Sequence, residues 1–153
     1  MPTFLRIDTP LGEMAIGEDA GRIVRLLLPG ELALCQIESA TPLLTEASRQ
    51  LRAYFAGDLR AFDLPLAPSG TPFQKAVWAA LEGIPFGEII TYGELARRIG
   101  RPKASRAVGQ ANHKNPIPIL IPCHRVIGAD GSLTGYGGGL ACKRFLLRLE
   151  GMQ

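Results

Sequence analysis

Apolar and polar residues alternate along Phe4–Thr9 as in a half-buried strand, and again over the shorter runs Glu13–Gly17 and Ile23–Leu28. Pro10-Leu11-Gly12 and Asp19-Ala20-Gly21 separate these runs with turn-forming residues, and Pro29-Gly30 ends the last of them. From Thr41 the apolar period becomes helical. Thr41-Pro42 supplies an N-cap and a first-turn proline, Leu44, Ala47, Leu51 and Phe55 recur on one side, and Gly57 stops the helix. Leu64–Gly70, rich in Pro, Gly and Ser, reads as a linker between domains 1–66 and 71–153.

Beyond the linker the pattern predicts helices. Thr71-Pro72-Phe73-Gln74 reads as a capping box opening a helix with Phe73, Val77 and Leu81 on its apolar face and Trp78 as core. Thr91-Tyr92-Gly93-Glu94 reads as a second capping box, opening a helix over Tyr92–Ile99 that ends at Gly100. A further helix runs from Lys103 to about Asn112 with Val108 and Ala111 inward. Two short helices about a Gly-containing turn have helix-turn-helix spacing, as does an ordinary two-helix corner. The outer face of the second helix carries Ala104, Ser105, Ala107 and Gly109 around Arg106, small side chains that let a backbone approach a groove closely. A last helix spans Leu140–Leu149, with Cys142, Phe145, Leu146 and Leu149 inward.

Charge divides with the domains. Residues 1–70 carry six Arg against nine acids, net −3, while residues 71–153 carry four Lys and seven Arg against five acids, net +6. The asymmetry suggests a polyanionic partner for the second half, although an ordinary solvated surface also accommodates it. With 46% hydrophobic and 20% charged residues the chain is globular rather than disordered. No apolar run approaches the ~20 residues of a membrane span, and the N-terminus lacks a signal-peptide layout. The three cysteines include no CxxC pair, so neither a disulfide framework nor a zinc-finger spacing is expected. These features predict a thiol-reduced, cytoplasmic protein.

The chemistry concentrates in Asn115–Val126, whose three prolines exclude a regular helix and whose apolar residues predict a buried extended segment. It ends in Cys123-His124-Arg125. A cysteine held beside a histidine is a candidate nucleophile, because imidazole can take the thiol proton. Adjacent side chains diverge, so a bridging water is needed, and Glu150 is the candidate carboxylate to orient the histidine. A buried structural Cys beside a satisfied His fits the same residues. A metal set of Cys123, His124, His113 and Cys142 has no recognised ligand spacing. Cys35 and Cys142 read as small core hydrophobes.

The run Pro122-Cys123-His124-Arg125-Val126, preceded by Arg106-Ala107-Val108-Gly109-Gln110-Ala111 and Asn115-Pro116, resembles the O6-alkylguanine-DNA alkyltransferases, also called methylated-DNA–protein-cysteine methyltransferases. The likeness includes Pro85-Phe86-Gly87-Glu88, Thr91–Ala96, Gly135-Tyr136, Gly138-Gly139-Leu140, Lys143, Leu146-Leu147 and Glu150-Gly151, over roughly residues 72–151. Several separated motifs in order are far more specific than one pentapeptide. Thr9-Pro10-Leu11-Gly12 also looks like the family's N-terminal strand turn.

The resemblance implies an α+β fold: a ribonuclease H-like N-terminal domain with a small antiparallel sheet and helix, and a C-terminal winged helix-turn-helix-like DNA-binding domain. It implies direct-reversal repair, with Cys123 taking the alkyl group from O6 of guanine in double-stranded DNA once and irreversibly. His124 would accept the thiol proton through water, Glu150 would stabilise the imidazolium, Asn115 would brace the active-site turn, and Tyr92 would donate to the leaving purine nitrogen. Arg106 would fill the gap left by the flipped base, with Ala104, Ser105, Ala107 and Gly109 along the minor groove. Val126 and the loop Gly135-Tyr136-Gly137 would hold the lesion. Position 137 is Gly where some members carry a hydroxyl. Neither cofactor nor metal is implied: the first half has no histidine and one cysteine, unlike zinc-bearing relatives. A monomer is expected. A non-catalytic alkylated-DNA-binding module is the alternative, although such relatives replace the cysteine. A cysteine-sensing regulator would need an effector domain that the sequence does not display, and a thiol hydrolase would need a peptide cleft.

Overall fold

The structure is a computed structural model that describes residues 1–35, 37–136 and 138–152, so Gly137 lies outside the described residues. Two compact units divide the chain, Met1–Ser69 and Gly70–Gln153.

In the first unit, β1 (Thr3–Thr9), β2 (Gly12–Asp19) and β3 (Arg22–Leu27) form an antiparallel meander in the order β1-β2-β3. The second hairpin closes through Ala20 (φ 52°) and Gly21 (φ 77°), the paired left-handed residues that a tight two-residue turn requires. Met14, Ala15, Ile16 and Gly17 of β2 are all buried, so this strand is covered on both faces. Phe4, Ala15 and Leu27 cluster with Leu32 and Cys35 on one of them. The Phe4 ring lies over Gly17, where an added Cβ would come within 2.6 Å of it. Helix α1 (Pro42–Phe55), capped by Thr41, packs against β1 and β2 and buries Leu44, Ala47, Leu51 and Tyr54. Tyr54, rather than Phe55, is the fully buried aromatic residue at its end.

The expected linker is partly structural. Ile23 exchanges backbone hydrogen bonds with Pro65 and Ala67 (both 2.8 Å), which fixes this segment beside β3. Cys35 is only half-buried, not a core residue.

In the second unit, α2 (Pro72–Leu81) opens with the full capping box of Thr71 and Gln74. It buries Val77, Leu81 and Trp78, whose Nε1 donates to the Ala111 carbonyl at 2.8 Å. β4 (Ile90–Thr91) leads directly into α3 (Tyr92–Arg98). Thr91 caps α3 through the Glu94 amide, but the Glu94 carboxylate pairs with Arg97 instead of completing the box. Helix α4 (Ser105–His113) begins two residues later than the sequence suggests, after a turn through Gly100 at φ 75°. It packs on α2 and α3 and buries Val108, Ala111 and Asn112.

Asn115–Val126 is buried but not extended. It reverses tightly through Ile119 (φ 75°), then forms a single 3-10 turn over Cys123–Arg125 before β5 (Val126–Ile127). β5 pairs in parallel with β4, Ile90 opposite Val126 and Thr91 opposite Ile127. That short pairing ties the start of α3, and hence Tyr92, to the chain leaving Cys123. The last helix, α5 (Leu140–Leu149), packs against the Cys123–Arg125 turn. Its inward face carries Cys142, Lys143, Leu146 and Leu147; Phe145, expected inward, is exposed, and Leu149 is half-buried. Among the described residues no helix is long and apolar enough to cross a membrane.

Candidate active site

The turn that presents Cys123 is built by asparagines. Asn115 accepts from the Ile117 amide (3.0 Å) and donates to the Ile121 carbonyl (2.8 Å), closing the reversal on both sides. Asn112 donates to the Cys123 carbonyl at 3.3 Å. These bonds hold Ile119, a buried β-branched residue, in the left-handed region, a conformation that costs on the order of 1–3 kcal/mol and that surrounding structure must enforce.

Cys123 is 5% exposed. Burial pushes its thiol up to about 11, while a hydrogen bond from Asn115 and the charge of Lys143 pull the other way. The neighbouring His124 is completely buried, and its Nε2 lies 2.8 Å from Glu150 Oε2. Burial lowers the imidazole pKa; Glu150 opposes this, and Arg125 and Lys143 reinforce it. The resting pair is therefore a neutral thiol and a neutral imidazole, not a preformed thiolate–imidazolium. With Nε2 on Glu150, Nδ1 is left buried without a hydrogen-bond partner among the described residues.

Glu150 serves more than His124. Arg125 grips it as a fork, Nε to Oε1 at 2.8 Å and Nη2 to Oε2 at 2.9 Å, and donates Nη1 to the Ile84 carbonyl at 2.6 Å. A carboxylate at the C-terminal end of α5 opposes the helix dipole, and the guanidinium offsets that repulsion. The Gly87 amide also points at Oε1, at 3.5 Å.

Lys143 is the largest surprise: a fully buried ammonium. Its Nζ donates to the carbonyls of Val126 (2.6 Å) and Thr134 (2.9 Å), and burial lowers its pKa to about 8, with the Cys123 sulfur acting in the other direction. Tyr92 meets the same loop. Its hydroxyl donates to the Thr134 carbonyl (3.3 Å) and accepts from Thr134 Oγ1 (3.2 Å). Its ring rests against α4 at Gly109, where a Cβ would stand 3.6 Å from Cδ1.

A cavity of about 690 Å³ opens here, with Tyr92, Ser105, Arg106, Gly109, Thr134 and Gly135 on its wall and His113 at its side. Cys123, His124 and Glu150 are buried, with the half-buried Asn115 bracing the turn that leads to them, while Tyr92, Ser105, Arg106, Gly109 and Gly135 face this cavity. Ala104 faces instead the Gly100–Ala104 turn, and Ala107 a smaller hollow beside Thr71 and Phe73. Val126 and Tyr136 are buried. The set Cys123, His124, His113 and Cys142 does not converge; among the described residues no group of three or more His, Cys, Asp and Glu could hold a metal ion.

Sequence reasoning missed the roles of Lys143, Arg125, Asn112 and Thr134. For Lys143 a signal existed: it shares its helical stripe with Leu146, Leu147 and Glu150, which places two charged residues on an inward face.

A rigidly held thiol backed by His and Glu, in a basic unit whose neighbouring helix offers small residues and an exposed arginine to an open cavity, defines a cysteine-centred transferase with a nucleic-acid-facing surface. Residues 72–152 match the DNA binding domain of 6-O-methylguanine DNA methyltransferase, and residues 5–68 match its ribonuclease-like domain. The chain belongs to this family. It is 49% identical to the constitutive methylated-DNA–protein-cysteine methyltransferase of Bacillus subtilis, over 98% of this chain and 96% of that one. It is 48% identical to the Mycobacterium tuberculosis methylated-DNA–protein-cysteine methyltransferase, over 96% of this chain and 91% of that one. A crystal structure of the M. tuberculosis protein OGT in complex with DNA superposes with a TM-score of 0.90 at 47% identity, covering 97% of this chain and 92% of that one. The α+β fold expected from the sequence agrees with these matches.

Proposed function

We propose that this chain repairs O6-alkylguanine in double-stranded DNA by moving the alkyl group to Cys123, and the observation that carries the reading is the buried His124–Glu150 contact of 2.8 Å next in the chain to the buried Cys123. The thiol proton passes through a water to His124 Nδ1, the nitrogen left without a partner, and Glu150 stabilises the resulting imidazolium. Sγ attacks the alkyl carbon in line; the S–C bond forms as the C–O6 bond breaks, and the electron pair stays on guanine. Tyr92 donates a hydrogen bond to the purine ring nitrogen as negative charge develops there. Lys143, whose charge favours the thiolate, lowers the cost of deprotonation. The thioether is not hydrolysed, so each molecule acts once.

Because the thiol is buried, the damaged base leaves the stack to reach it. In this reading α3 and α4 act as a helix-turn-helix in the minor groove, with Ala104, Ser105, Ala107 and Gly109 along it and Arg106 in the space of the extruded base. Backbone groups at Cys123 and Val126 and the loop of Gly135, Tyr136 and Gly137 hold the lesion, and Asn115 braces the active-site turn. Residues 1–66 and 71–153 are the two functional domains, and the protein works as a monomer in the cytoplasm. Its three free cysteines suit a reducing compartment. Incubation with an oligonucleotide carrying O6-methylguanine, followed by peptide mass measurement, tests the reading. Lesion binding without a mass gain would assign the chain to the binding modules instead.

A further inference from the structure

Thr134 makes two opposite hydrogen bonds to one phenol. Its carbonyl accepts from the Tyr92 hydroxyl at 3.3 Å, and its own hydroxyl donates to Tyr92 Oη at 3.2 Å. Both distances exceed the usual range of about 2.5–3.0 Å for O–H···O bonds, so the arrangement exchanges readily. The same carbonyl also accepts from Lys143 Nζ at 2.9 Å. When Tyr92 turns its hydrogen elsewhere, that carbonyl therefore keeps a charged donor and is not left unsatisfied. Thr134 and Tyr92 both face the 690 Å³ cavity, so the second acceptor for the phenol hydrogen can be a group that enters it.

We propose that Thr134 is a positioning residue for alkyl transfer: its carbonyl holds the Tyr92 hydroxyl at rest, and its hydroxyl supports Tyr92 Oη once the phenol directs its hydrogen bond to the departing purine instead. The exchange moves one hydrogen bond and transfers no proton through Thr134. While Tyr92 donates to the purine nitrogen, the Thr134 hydroxyl continues to donate to Oη, which polarises the phenol O–H toward the base. Thr134 thus acts through Tyr92 alone, and the inference rests on the alkyl-transfer reading above.

The test is a comparison of single-turnover rates on O6-methylguanine duplex for the unmodified chain, T134V, T134S, Y92F and the double variant T134V/Y92F. Thr134 is exposed and valine matches its shape, so the fold is spared. T134V should slow the saturating rate about fivefold, the worth of one neutral hydrogen bond, without raising the half-saturating protein concentration. T134S should restore the rate. In the Y92F background T134V should add no further loss. Equal losses in both backgrounds, or a T134V rate equal to that of the unmodified chain, would overturn the inference. An unmodified chain that transfers no methyl group to Cys123 would instead overturn the reading it rests on.

Discussion

Glu150 carries three demands at the scale of a single side chain: it orients His124, anchors Arg125 and ends α5. Burial is the main reason that the imidazole pKa of His124 lies below its ordinary value despite a carboxylate at 2.8 Å, and the nearby charge of Arg125 adds to it. Glu150→Gln would leave the buried guanidinium without its counter-charge, and breaking such a pair typically costs about 3–5 kcal/mol. Urea unfolding should show that loss as a clearly lower midpoint; an unchanged midpoint would mean that Arg125 finds another partner. The Glu150–His124 relation was legible in the sequence, where Glu150 at the end of the last helix is the candidate carboxylate, and the resemblance implies the same pair. The Arg125 fork and the Lys143 bridge were not, because which charged side chains face each other depends on the turn between Pro116 and Pro122. A pattern of proline and apolar residues does not reveal that Ile119 adopts a left-handed conformation.

Among the elements, helix starts carry local signals that the sequence displays, while features set by tertiary contact do not. Thr41, Thr71 and Thr91 each cap a helix through a backbone amide, and threonine before an apolar period announces this in sequence. Residues 65–67 pair with Ile23 only because β3 is already in place, so their Pro-rich composition reads as a linker. In α5 hydrophobicity alone points Phe145 inward, but the buried stripe is the one that Lys143 shares with Leu146, Leu147 and Glu150. For α4, the exposed Arg106 beside Ser105 and Gly109 makes a specific expectation. Arg106→Ala should slow repair in duplex DNA far more than reaction with the free base O6-benzylguanine, since only the duplex requires extrusion. Equal losses on both substrates would rule out the extrusion role.

Across the whole molecule, the cations are concentrated in the unit that holds the cysteine: +6 in residues 71–153 against −3 in residues 1–70. Contacts to phosphates release counterions, so affinity for duplex DNA should fall steeply as salt rises, and a flat response would contradict binding through the basic unit. Burial pushes the Cys123 thiol up to about 11 and lowers the imidazole pKa of His124, so in the proposed reading the thiol stays protonated until a lesion is delivered to it. The central claim is that delivery ends in a covalent bond. Mass measurement of the protein after incubation with an oligonucleotide containing O6-methylguanine tests it most directly. The account predicts a gain of one methyl group on the peptide bearing Cys123, at most one per molecule and absent in Cys123→Ala; an unchanged mass on lesion-bound protein would contradict it.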